Sequence, residues 1–439
     1  AMSPVSLRPL RARNFALLWS AALVSNVGSW MQAVALGILV TAKTHNPLWT
    51  GLVAAAAFLP NGLLAPFGGA LADRLDRRRW LLATTVAEMA VATVLAVLAA
   101  IGDASPVVAV ALAFVGGAAA AIGLPAYQAM LPDLIDDPAD LLAAVSLSSA
   151  QYNLGRVIGP ALAGIVLALG SYALAFACNA ASFAAVVVAL VLVRLPAITK
   201  ATERLRIVHR IAEGVRLAAT EPACRSAIVL IGVVALLASP FIALVPAMAI
   251  EGLHLGSGHR GSVGTSVLVT AQGIGAVTGA LLLPGLAQRF GRAKQVVVAL
   301  FALPVLLVAY GLAPGLWVGA VALLLVGLAY IAVLSGLNTV VQLRAPTAAR
   351  GRVLSLFMLS LGTVYPIGAI VQGAIGARVG VREVTIGAAA GLLVVLAGVA
   401  ARWPGMLRAL GGTALSPLDP PPALPDPVGP DTAVDPDPA

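Results

Sequence analysis

Charge is scarce in this chain. Asp, Glu, Lys and Arg together make up 10% of its 439 residues, against 60% hydrophobic residues and a mean hydropathy of +0.99. A water-soluble globule carries about a quarter of its residues as charges, so that class is excluded and lipid is the expected solvent. Cysteine is scarcer still. Cys178 and Cys224 are the only two, both lie in or at the edge of apolar stretches, and neither has the spacing of a disulfide framework or a zinc site, so no metal is expected. Three of the four histidines, His45, His254 and His259, fall outside the apolar stretches. No His, Ser and acid cluster has catalytic spacing, which argues against an enzyme. No GxxxxGK[ST] loop is present, so neither ATP nor any other cofactor is expected.

What is present is apolar length. A membrane span needs about 20 mostly apolar residues, and twelve such stretches follow one another, from 15–41 to 383–403. The predicted fold is therefore an all-α polytopic membrane protein with twelve transmembrane helices. Basic residues resist translocation and collect in cytoplasmic loops. With the N-terminus inside, 22 of the 27 Lys and Arg residues fall on the cytoplasmic side, and an even number of spans returns the C-terminus there as well. This dispersed loop bias accounts for the net charge of +9 without a nucleic-acid partner. The expected location is a bacterial inner membrane.

The spans divide six and six. An N-terminal half (1–195) is followed by a linker (196–222) whose Lys200, Glu203, Arg204, Arg206, Arg210, Glu213 and Arg216 are spaced as in an interfacial amphipathic helix. A C-terminal half (223–403) comes next. Residues 404–439 hold ten prolines and five aspartates and read as a disordered tail, inert or regulatory. The halves echo each other. Gly69, Asp73, Arg74 and Arg77 after the second span match Gln288, Arg289, Gly291 and Arg292 after the eighth. Ser146, Gly159 and Gly164 of the fifth span match Ser355, Gly368 and Gly373 of the eleventh at a constant offset of 209. Such pseudo-symmetry between six-span halves marks alternating-access transporters, which hold substrate near the midplane.

Two segments carry a family resemblance. Gly69-Ala-Leu-Ala-Asp73-Arg74-Leu-Asp76-Arg77-Arg78-Arg79 resembles the loop signature of the major facilitator superfamily. The resemblance implies a conformational latch built on Gly69, Asp73, Arg74, Arg77 and Arg78, with Asp73 near Arg350, Gly351 and Arg352. The arginine run also serves topology. Asp76 stands where the family's signature has glycine, and a left-handed turn would cost an aspartate more than a glycine. In the fifth span, Gly155-Arg156-Val-Ile-Gly159-Pro160-Ala-Leu-Ala-Gly164 resembles the motif of the proton-antiporting exporters; its alternative is the close glycine packing of any membrane bundle.

The likeness continues through Asn14-Phe15-Ala-Leu-Leu18-Trp19, Ser25-Asn26-Val-Gly28-Ser29-Trp30-Met31-Gln32, Pro125-Ala-Tyr127-Gln128 and Arg350-Gly351-Arg352-Val353. Together these are similar to the branch of enterobactin exporters and macrolide efflux pumps called transmembrane secretion effectors. One departure is the fourth span, around Phe114 to Ala121, which lacks the arginine found near the proton site of many drug antiporters.

An ionised group at membrane depth costs roughly 2.5–3.5 kcal/mol on insertion scales, and two residues pose that question. Arg156 shares a helical face with Ser149, Tyr152 and Asn153, which makes it either a substrate contact or a partner of backbone carbonyls. Glu88 is the only acid well inside a span. If transport is coupled to protons, such a carboxyl is the natural carrier, because neutralising it removes the cost of a buried charge; its alternative is a packing role. Asp73, at the membrane edge, is a second protonation candidate. Asn26, Trp30, Gln32, Tyr127, Gln128 and Asn338 lie on the first, fourth and tenth spans, which line the central cavity in the resembling fold, and complete the candidate substrate-binding set. The expected activity is export of a small amphipathic molecule, a drug or siderophore, by proton antiport with alternating access. The alternatives are an importer or lipid transporter of the same fold, or a non-transporting sensor or scaffold. The expected partners are a small-molecule substrate, the lipid bilayer and protons, and one chain suffices as a monomer.

Overall fold

In lipid, backbone N–H and C=O groups find no water, so each apolar stretch must satisfy them internally as a helix. The computed structural model of the chain follows this rule. It describes residues 7–193, 219–346 and 350–411 together with residue 216, and for residues 65, 66, 69, 70 and 72–74 it describes the backbone alone. Among the described residues the regular elements are all helical. The six of the first half are α1 (Arg13–Thr44), α2 (Pro47–Arg74), α3 (Arg77–Ala100), α4 (Pro106–Leu134), α5 (Leu141–Ala168) and α6 (Tyr172–Leu192). The second half holds α7 (Pro222–Gly252), α8 (His259–Phe290), α9 (Arg292–Gly311), α10 (Leu316–Arg344), α11 (Arg350–Val379) and α12 (Val381–Arg402). Eleven of them are long and apolar enough to cross a membrane. The twelfth, α5, has the length but carries Ser146, Ser148, Ser149, Gln151, Asn153 and Arg156 along it. Twelve spans put the start of α1 and the end of α12 on one face, called here the termini face.

Caps set several boundaries. Asn46, Ser105 and Ser171 accept hydrogen bonds from the backbone N–H groups of Leu48, Val108 and Leu174 at the starts of α2, α4 and α6. Asp76 does the same for α3, accepting from the Arg79 N–H at 2.8 Å. Its φ of −61° is ordinary, so the aspartate incurs no left-handed strain where the family's glycine would stand. In the other half, the turn between α8 and α9 does use a left-handed residue, Gly291 at φ +86°.

The linker expected at 196–222 falls almost wholly outside the described residues, as does the tail beyond 411. Residues Pro404–Ala409 form a short helix, α13, which packs on α7 and α12, with Leu410 buried just beyond it.

The halves join along two seams, α2 against α11 and α5 against α8. Glycine lets the first seam close. A Cβ on Gly62 would stand 2.8 Å from the Gly362 backbone, and one on Gly373 would stand 2.8 Å from the Pro47 carbonyl. In the second seam a Cβ on Gly164 would meet Ser266 at 2.8 Å, and one on Gly273 would meet the Arg156 carbonyl at 3.2 Å.

Burial along α1 and α7 shows how the halves close. Toward the termini face α1 buries one stripe, Phe15, Leu18, Ala21, Ser25, Gly28 and Met31; from Val34 to Thr41 every residue is buried. In α7 a stripe through Cys224, Ala227 and Ile231 gives way to continuous burial from Ala243 to Ile250. A helix apolar all round is a helix enclosed all round, so the halves are shut around these two helices away from the termini. There His45 Nδ1 and Glu251 Oε1 pair across the halves at 2.6 Å. Near the termini, Arg8 pairs with Asp137 and Asp140, Arg77 with Asp133 and Arg344 with Glu221, each within one half.

Candidate functional site

Arg156 stands twelve residues before the end of α5, about 18 Å deep at 1.5 Å per residue. Its position follows from the glycines around it. A Cβ on Gly155 would meet Asn26 at 2.8 Å, and one on Gly159 would meet Trp30 at 2.6 Å. These glycines therefore seat α1 directly on α5 and bring the Trp30 ring beneath the guanidinium, 5.8 Å from Arg156 Cζ to the ring centroid. Tyr152, one turn earlier, meets the same indole edge-on, with centroids 5.9 Å apart. The three side chains form one group of cation–π and aromatic contacts.

Arg156 is half-buried and has no hydrogen bond or ion pair with any described residue. Its charge acts on the phenols of Tyr152, Tyr330 and Tyr365. The last two come from the second half. Tyr365 lies on α11, edge-on to Phe58 of α2 with centroids 5.5 Å apart, an aromatic contact across the halves. Tyr330 lies on α10, edge-on to Phe241, and donates to Ser239 Oγ at 2.9 Å. On α8, the helix against α5, the buried Ser266 Oγ, Thr270 Oγ1 and Gln272 Nε2 have no hydrogen-bond partner among the described residues.

The remaining candidates scatter. Ser149 and Asn153 are exposed on the face of Arg156 and bond backward along α5, to the carbonyls of Val145 and Ser149. Asn26 is packed at Gly155. Gln32 is turned to α6, where its side-chain oxygen accepts from Asn179 Nδ2 at 2.9 Å. Tyr127 bonds Gln151 and Ser148 of α5 inside the first half. Gln128 is exposed, and Asn338 pairs with Gln342 one turn along α10. Pro160 is buried beside Gly159.

Glu88 sits midway along α3, which packs on α4 and α6. It continues the face of Leu81, Thr84, Val91 and Leu95, is half-buried, and has no hydrogen bond or ion pair with a described residue.

In the loop signature, the side chains of Gly69, Asp73 and Arg74 lie outside the described residues. Arg77 reaches the Ala129 carbonyl and Asp133 at the end of α4. Arg78 bonds the Leu190 and Val191 carbonyls at the end of α6, where a cation complements the helix dipole. Both arginines thus tie α3 to its own half.

Sequence reasoning passed over Tyr365, Phe58 and Phe241. The signal for Tyr365 was available, because the offset of 209 that pairs the glycines also pairs Arg156 with Tyr365. For Phe58 and Phe241 no local signal exists.

A twelve-helix bundle in two six-helix halves, with a polar group at their midplane junction, defines a membrane transporter of the major facilitator class. The chain belongs to the transmembrane secretion effector family, whose sequence pattern matches residues 4–426; it is a transporter rather than an enzyme, and a multi-pass bacterial membrane protein. It is 26% identical over 403 residues to the multidrug efflux pump Tap of Mycolicibacterium fortuitum, covering 90% of this chain and 96% of that one. It is 27% identical over 370 residues to the enterobactin exporter EntS of Citrobacter koseri, covering 83% and 85%. Its fold is similar to that of a bacterial homologue of the human lysosomal transporter Spinster, solved in an inward-facing, unoccupied conformation. The TM-score is 0.72 at 13% identity, over 94% of this chain and 100% of that one.

Proposed function

We propose that the chain exports a small amphipathic molecule, a drug or siderophore, by proton antiport with alternating access, and that it works as a monomer with both termini in the cytoplasm. The observation that carries this reading is Arg156, a guanidinium at mid-depth between the halves whose resolved contact is the Trp30 ring. A charge kept at membrane depth without a protein partner is costly, and a substrate that engages it offsets that cost. The exporters that the chain resembles support the direction of transport. Burial of α1 and α7 away from the termini, with the His45–Glu251 pair beside it, fits a state open to the cytoplasm, and parting of those contacts would open the other side.

In this reading Ser149, Tyr152, Asn153 and Arg156 of α5 meet substrate together with Trp30 and Asn26, and Gly155, Gly159, Pro160 and Gly164 hold α5 between α1 and α8. Gln32, Tyr127, Gln128 and Asn338 are assigned weaker roles, since their resolved contacts or exposure direct them elsewhere. Glu88 carries the proton, with Asp73 as a second protonation site and part of the latch.

The test is release of a preloaded fluorescent drug from expressing cells, with and without a protonophore. The expected result is release that the protonophore slows and that Arg156→Ala reduces about tenfold, the equivalent of about 1.4 kcal/mol of lost interaction. Release no faster than from cells lacking the protein refutes drug export.

A further inference from the structure

We infer that the Arg156 site selects its ligand by charge. It takes a small amphipathic anion, one carboxylate or sulfonate on an aromatic or apolar body, and discriminates against cations. This rests on reading the site as the substrate site.

Three observations converge on it. First, the guanidinium has no carboxylate partner among the described residues, and the helices packed on α5 carry no acid at its depth. Asp140 precedes α5, Glu221 precedes α7, and Glu251 closes α7 at its far end. The one acid at mid-depth, Glu88, is on α3, which packs on α4 and α6. Second, polar groups without a partner among the described residues lie on α8, the helix packed on α5. Arg156 and Gln272 Nε2 can only donate, and the Ser266 and Thr270 hydroxyls on α8 are buried without a partner among the described residues. Ser266 faces α5 at Gly164 and Gly273 faces it at Arg156, so Thr270, between them in sequence, lies along the same seam. An anionic oxygen at this seam would satisfy Arg156 and the Thr270 hydroxyl through charge-assisted bonds; a cation would leave Arg156 unmet and would be repelled. Third, the surroundings of the charge are aromatic, with Trp30 and Tyr152 in contact and Tyr330 and Tyr365 within electrostatic reach. An aromatic or apolar body attached to the anion has a matching surface there.

A matched pair of probes tests the inference. 1-Anilinonaphthalene-8-sulfonate and N-phenyl-1-naphthylamine differ by the sulfonate, and ethidium serves as the cation. Binding is read by energy transfer from tryptophan, with the full chain in phosphatidylcholine nanodiscs. The sulfonate is expected to bind about tenfold more tightly than its uncharged parent, and ethidium most weakly. Arg156→Gln should erase that margin, and Arg156→Lys should keep part of it. Should Arg156→Gln fail to fold, Thr270→Val provides an independent reading and should lower the margin two- to threefold.

Equal affinity for the sulfonate and its parent, or an undiminished margin in Arg156→Gln, overturns the inference. The nanodisc measurement is repeated with phosphatidylglycerol added. If the wild-type margin then collapses to that of Arg156→Gln, the ligand is a lipid headgroup and the small-molecule assignment falls; an unchanged margin upholds it. Export is scored separately in preloaded cells. Charge-selective binding without export removes the exporter reading and leaves this inference standing, whereas export indifferent to the charge of the dye removes this inference alone.

Discussion

The two halves repeat one architecture with different chemistry. In each, the fifth helix presents a glycine to the first: a Cβ on Gly159 of α5 would meet the Val27 carbonyl of α1 at 2.7 Å, and one on Gly368 of α11 would meet the Leu236 carbonyl of α7 at 2.6 Å. Each fifth helix also offers a second glycine to the second helix of the other half, Gly164 to Ser266 and Gly373 to Pro47. The joints are equivalent, but their contents are not. Where α5 carries Arg156, α11 carries Tyr365.

The cores differ as well. The second half packs a continuous apolar cluster through α7, α9, α10 and α12. The first packs two, one around Phe15, Met130 and Leu190 and another around Ile38, Leu95 and Phe176. Between them, near mid-depth, lie Trp30 and the Gln32–Asn179 bond. Close packing is duplicated because the halves must meet in a fixed geometry, while the mid-depth cation occurs on one side alone, Arg156 of α5 against Tyr365 of α11.

The most disruptive way to challenge this equivalence is at the joints. Gly159→Leu and Gly368→Leu should each destabilise the protein by about 1–3 kcal/mol or more through overpacking against backbone, read as matched losses of thermal unfolding temperature in detergent. A loss in one and not the other would break the symmetry of the two joints.

Next in size is a difference between the first helices. In α7, Pro240 lacks an N–H for the Leu236 carbonyl, and Gln372 Nε2 of α11 donates to the Leu236 and Leu237 carbonyls at 2.9 and 3.0 Å. Gln372→Leu leaves buried acceptors unmet and should cost about 1–3 kcal/mol. The corresponding stretch of α1 is unbroken helix, so no equivalent repair is needed there. An unchanged unfolding temperature would show that water fills that role.

The smallest effect belongs to the turns. Asp76→Ala removes the cap of α3, at about 1 kcal/mol. Gly291→Ala forces a side chain into a left-handed turn, also at about 1 kcal/mol. Asp76→Gly should cost only a few tenths of a kcal/mol; a larger loss would mean that the carboxylate does more than cap α3.

Much of this was legible in the order of residues. Twelve spans follow from apolar length, since a chain in lipid must close its own hydrogen bonds. The offset between Gly159 and Gly368 is visible as a repeat, because equivalent close contacts demand equivalent small residues. Arg156 stands out because a charge in a span is rare. The expectation for Gln32 illustrates the limit. Its position on a cavity-lining span is readable, but the direction of its side chain toward Asn179 depends on the rotation of α1 against α6. Asp76 shows the same limit, since the same residue can serve as cap or as left-handed turn and only the backbone path, at φ −61°, decides.

The sequence by itself therefore determined the solvent, the number of spans, the two-fold repeat and the one cation at mid-depth, all of which rest on local composition and spacing. Only the tertiary structure decided that Trp30 lies under Arg156, that Tyr330 and Tyr365 come within reach from the other half, and that α8, with polar groups unpartnered among the described residues, packs on α5. Those relations join residues up to 209 positions apart through the rotation and crossing of helices, and apart from the repeat offset that pairs Arg156 with Tyr365 no pattern in the chain encodes them.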